Sequence, residues 1–132
     1  MRSYSKQMYQ VHDAHDIALT AAQHLSADPF ERTRKRDNVY ARRMVIAYLR
    51  EKGFVLTKIG FIFELDHSTV IHNIKEHEAM MSLSDLDMYK PYCREYYRMW
   101  NAMELMRNAL EFREANTPTF GKERMRNAAW ML

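Results

Sequence analysis

The chain has 132 residues, enough for one domain with a helical extension, and 47% of them are apolar, enough to build a core. Three glycines, three prolines, a single cysteine (Cys93) and a net charge of +3 point away from a disulfide-stapled or hairpin-rich protein and towards an all-α fold in a reducing compartment. No apolar run reaches the roughly 18 residues of a membrane span, and the opening M-R-S-Y-S-K-Q has no signal-peptide core, so the expected location is cytoplasmic, with no membrane partner.

The first predicted helix runs from about Ser5 to Leu25, with Met8, Val11, Ala14, Ala18, Ala21, Ala22 and Leu25 at near-helical spacing. His12 and His15 lie within its H-D-A-H-D run, but no further ligand pattern follows, so the expectation is a solvated face and no metal. Ser26, Asp28 and Pro29 end this helix, with Asp28 as a cap candidate and Phe30 as the anchor of the turn. Arg32, Arg34, Lys35 and Arg36 follow with no apolar residue among them.

A second long helix is predicted from Asp37 to about Lys52. It is apolar nearly all round at its centre, from Met44 to Leu49, as a buried central helix would be. Arg42 and Arg43 sit towards its polar end, and Gly53 terminates it. Between Glu31 and Lys58 there are nine Lys or Arg against three Asp or Glu, a local +6, so the remainder carries −3. Such a block is the electrostatic footprint of a polyanion site.

The stretch L-T-K-I-G-F-I-F-E-L-D-H-S-T-V-I-H-N-I-K, Leu56 to Lys75, reads as two short helices joined by a tight turn. Leu56, Ile59, Ile62 and Phe63 share one apolar face; Val70, Ile71 and Ile74 form another. Asp66 stands where an N-cap belongs. His67, Ser68, Thr69, His72, Asn73 and Lys75 then supply polar side chains in front of an apolar back, the arrangement a helix needs to enter a major groove.

The residues Ile59, Gly60 and Phe63, followed by the run D-H-S-T-V-I-H from Asp66 to His72, resemble the C-terminal DNA-binding domain of DnaA, the bacterial chromosomal replication initiator. Upstream, R-K-R-D-N-V-Y-A-R-R at Arg34 to Arg43 is similar to that family's basic loop and following helix. The resemblance covers roughly residues 17–77. It implies a helix-turn-helix bundle over 1–79, with 80–132 as a helical extension, and double-stranded DNA as the partner. It further implies that the loop carrying Arg34, Lys35 and Arg36 enters the minor groove, with either Arg34 or Arg36 inserted. Arg42, Arg43, Lys58 and His72 would meet phosphates, with Lys75 on the same flank. Leu56 and Thr57 would touch the groove wall. Asp66 would both cap its helix and accept from a cytosine amine, His67, Ser68 and Thr69 would face base edges or thymine methyls, and Asn73 would either read adenine or stand as an exposed polar residue. The chain departs from the family at Phe63-Glu64-Leu65, where Gly-Gly-Arg or Gly-Arg is usual, and at Thr57, where proline is usual.

Beyond His77 a linker or short turn is expected over Met80 to Asp87, then a long helix from about Lys90 to Ala115 with Pro91 in its first turn. Its stripe of Tyr89, Tyr92 or Cys93, Tyr96, Trp100, Met103, Met106 or Arg107, and Leu110 either packs back on the domain or forms a homodimer interface. Thr117, Pro118 and Gly121 precede a short basic tail. No G-x-x-x-x-G-K-[ST] motif is present, so no nucleotide or other cofactor is expected, and no residue pair has catalytic spacing, so no enzymatic activity is expected. The functions that follow are sequence-specific DNA binding in replication initiation or its regulation, a transcriptional regulator of phage or mobile-element type, or a protein–protein adaptor working through the Tyr/Met/Trp helix.

Overall fold

The computed structural model describes residues 11–115, with side chains from 13 to 109. The expected helical start at Ser5 and the basic tail after Thr117 lie outside the described residues. Within them the chain is all-α: α1 (Val11–Ala22), α2 (Arg36–Glu51), α3 (Leu56–Phe63), α4 (His67–Ser82) and α5 (Lys90–Ala115). Among the described residues no helix is long and apolar enough to cross a membrane.

The chain divides into two compact units, Met1–Trp100 and Asn101–Leu132. In the first, α2 is the central helix. Ala41 and the unbroken run Met44 to Leu49 are buried, and α1, α3 and α4 all pack on it. A helix buried all round reads as uninterrupted apolar sequence, which is why this element was legible. Gly53 closes it with a φ of 98°, a left-handed value that glycine adopts without penalty.

Two boundaries differ from the sequence expectation. The first helix ends at Ala22 rather than Leu25, because Gln23, His24 and Leu25 donate to carbonyls three residues back in successive tight turns. Met80 is not a linker residue: α4 continues to Ser82 and buries Met80 against the core. The first unit also extends past residue 79. Tyr92 meets the Tyr40 ring edge-on at 5.2 Å, and Trp100 meets Tyr48 at 5.1 Å. Ser26 donates from both its amide and its hydroxyl to Glu95. The aromatic stripe therefore packs back on its own chain as far as Trp100, and Met99, which the stripe's spacing passed over, is wholly buried with it. In the second unit the described residues form the end of α5, where Arg107 pairs with Glu104 and Leu105 and Met106 are exposed.

Candidate functional site

The turn between α3 and α4 is built from three local features. Gly60 lies so close to the turn that a Cβ there would stand 2.5 Å from the Leu65 carbonyl oxygen; in return the Leu65 amide donates to the Gly60 carbonyl at 2.8 Å. Glu64 takes the left-handed conformation, φ 57° and ψ 45°, at the end of α3. Asp66 then caps α4: its Oδ1 accepts from the Thr69 amide at 2.8 Å and from the Ser68 hydroxyl at 3.3 Å. The hydrogen bonds from Thr69 hold the Asp66 carboxyl below the usual carboxylate range. The Ser68 hydroxyl is thus partly committed to the cap.

The cap sets the rotation of α4. Val70, Asn73, His77 and Met80, spaced three and four apart, form its buried back. His67, Ser68, His72 and Lys75 are exposed and Thr69 is half-buried at the edge. Asn73 is the correction to the expected front. It is 7% exposed; its Oδ1 accepts from Arg43 Nε at 3.3 Å and its Nδ2 donates to the Thr69 carbonyl at 3.0 Å. It braces α4 against α2 and is buried rather than presented at the front. Its spacing from Val70 and His77 was the available signal.

Arg42 and Arg43, expected on phosphates, are both engaged inside the fold. Arg43 also directs Nη1 to the Met80 sulfur at 3.2 Å and lies over the Tyr40 ring at 5.6 Å. Arg42 donates to the carbonyls of Pro29, Glu31 and Thr33 at 3.1, 2.5 and 3.5 Å. Beneath Arg43 lies a buried pair that the sequence reading did not single out: His77 Nδ1 and the Tyr92 hydroxyl share a hydrogen bond of 2.7 Å. Burial, with the Arg43 charge beside it, pushes the His77 imidazole down to about 4, and burial pushes the Tyr92 phenol up.

The cationic loop is a folded turn. Phe30 donates its amide to Asp28 Oδ1 and stacks on Phe63 at 5.2 Å, the anchoring its position suggested, while the preceding Pro29 is fully buried. Arg32 forms an ion pair with Glu64 of the α3–α4 turn. Arg34, Lys35 and Arg36 are exposed. Arg32, Thr33 and Arg34 line one open groove together with Glu64, Leu65 and Thr69. Basic loop, turn and first turn of α4 thus share a surface. On α3, Thr57 is exposed and Leu56 and Lys58 half-buried. Among the described residues no three His, Cys, Asp or Glu side chains gather to hold a metal ion. No protein-family model, curated protein or solved structure matches the chain.

Proposed function

We propose that the chain binds double-stranded DNA sequence-specifically, as a helix-turn-helix module acting in replication initiation or its regulation. The observation that carries this reading is the division of α4. Its back is locked by Val70, Asn73, His77 and Met80, and its front offers Ser68, His72 and Lys75 to solvent. A helix held from behind with short polar side chains in front suits a major groove. Arg34 shares a groove with Thr69 in the first turn of α4, near enough to the same helix to follow the duplex into its minor groove with Lys35 next to it in the chain, whereas Arg36 lines a separate groove with Tyr40 and Tyr89. Phosphate contacts fall to the exposed Arg34, Lys35, Arg36, His72 and Lys75 and to Lys58, while Arg42 and Arg43 build the scaffold.

Fluorescence anisotropy tests this on a duplex carrying an initiator-type nine-base box and on a scrambled duplex, each over a salt series. Binding of the box about a thousandfold tighter than the scrambled duplex, with a log–log salt slope of several phosphate contacts, is the expected result. Charge-removing substitutions at Arg36 and Lys75 should each reduce that slope by about one. Absence of salt-sensitive binding to either duplex, and to any duplex from random-site selection, would sink the reading.

A further inference from the structure

The end of the loop and the first residue of α2 place three exposed cations in succession, Arg34 and Lys35 in the loop and Arg36 on the helix, where it pairs with Asp37 at 3.9 Å. Mutual repulsion and backbone freedom favour an unordered arm, and ordering it on binding costs free energy. The structure instead fastens this loop on two sides. From α2, the one guanidinium of Arg42 spans the Pro29, Glu31 and Thr33 carbonyls, and Asn38 Nδ2 donates to the Asp28 carbonyl at 3.0 Å. From the other side, Glu64 in the α3–α4 turn holds Arg32, and Phe63 at the end of α3 stacks on Phe30. Within the loop the Lys35 amide donates to the Thr33 hydroxyl at 3.2 Å.

We infer that Arg42 and the Arg32–Glu64 pair are positioning residues that hold the Arg34–Arg36 arm at a fixed offset from α4, so that major- and minor-groove elements meet the duplex as one preformed surface. This rests on the DNA-binding reading above. Arg42 directs Nε and Nη2 to loop carbonyls, and Arg32 is matched by a carboxylate, so the part assigned to both is to hold the loop rather than to add phosphate contacts. The planar fork of Arg42 is what reaches several carbonyls at once; a lysine keeps the charge and loses the fork.

Two measurements on the full chain test this, one without DNA. Backbone amide relaxation of residues 31–36 should match that of α2 in the wild type, and the order should drop in Arg42→Lys while α4 is unchanged. A loop already loose in the wild type, or unaffected by the substitution, would overturn the inference whatever the DNA result. On the preferred duplex, Arg42→Lys and Arg42→Ala should both weaken binding about tenfold at every salt concentration, with the log–log slope unchanged. Glu64→Gln should weaken binding in the same direction, although it removes a negative charge. Rescue by Arg42→Lys together with a slope lowered by about one in Arg42→Ala would make Arg42 a phosphate contact and overturn the inference. Failure of the wild type to bind any duplex, with the loop still ordered by Arg42, would remove the DNA-binding premise instead.

Discussion

Arg43 Nε donates to Asn73 Oδ1 at 3.3 Å, joining the central helix α2 to the back of α4. The same Asn73 returns its amide to its own helix at Thr69, so the first turn of α4, its rotation and the central helix are tied through one side chain. Asn73→Ala leaves the half-buried guanidinium without that acceptor. Truncating one partner of such a bond costs about 1–3 kcal/mol. Urea unfolding should show a lower midpoint with an unchanged m-value, and the salt slope of DNA binding should not move. An unchanged midpoint together with a base-specific loss of affinity would place Asn73 at the duplex instead.

Gly60→Ala sets two effects against each other. Alanine favours a helix interior over glycine by about 1 kcal/mol. The new Cβ would stand 2.5 Å from the Leu65 carbonyl oxygen, a backbone atom of a turn that the Leu65–Gly60 hydrogen bond keeps tight. Backbone displacement of that kind costs about 1–3 kcal/mol, so the net effect should be destabilising, seen as a lower Tm. A variant as stable as the wild type would mean the turn yields freely.

What the sequence carried and what it did not follows the range of each interaction. The Asp66 cap, the Gly53 terminator and the buried run Met44 to Leu49 are all decided within a few residues of chain, and each was legible. The all-helical class followed from the same local signals. The roles of Arg42 and Arg43 were not legible. Their charge pattern fits a phosphate clamp, but the groups they donate to, on Pro29, Glu31, Thr33, Asn73 and Met80, are 9 to 37 residues away and enter only through tertiary packing. Glu64 looked like a mere loss of the glycine or arginine found in the resembling family, and its pairing with Arg32, 32 residues upstream, supplies the reason for a carboxylate there.

Glu64 occupies the left-handed region, where a Cβ costs about 1–2 kcal/mol relative to glycine. Glu64→Gly and Glu64→Ala both remove the carboxylate and its exposed pair with Arg32, a contact worth at most about 1 kcal/mol. They differ only in backbone freedom. Glu64→Gly should therefore be the more stable of the two by about 1 kcal/mol in chemical denaturation, after allowing for the greater entropy of its unfolded chain. Equal stability of the two variants would argue that the turn does not hold this conformation in solution.

His77 gives the fold a pH dependence whose sign follows from its burial. The ring is 8% exposed, hydrogen-bonded to Tyr92, edge-on to Tyr96 at 4.4 Å, and close to the charge of Arg43 on α2. Burial first, and the Arg43 cation second, disfavour an imidazolium, and the folded pKa falls from 6.5 to about 4. A depressed histidine binds its proton more readily in the unfolded chain. Stability is then independent of this group above about pH 6.5 and falls as pH drops from there towards 4, by up to about 3 kcal/mol. Below that point the folded protein takes up the proton as well, and this group's contribution levels off. Denaturation midpoints measured from pH 7.5 to 4 should trace this fall, and His77→Gln should flatten it, whatever its own stability at pH 7.5. A wild-type profile flat between pH 6.5 and 4.5, or a His77→Gln profile as steep as the wild type, would show that the imidazole keeps an ordinary pKa in the folded protein.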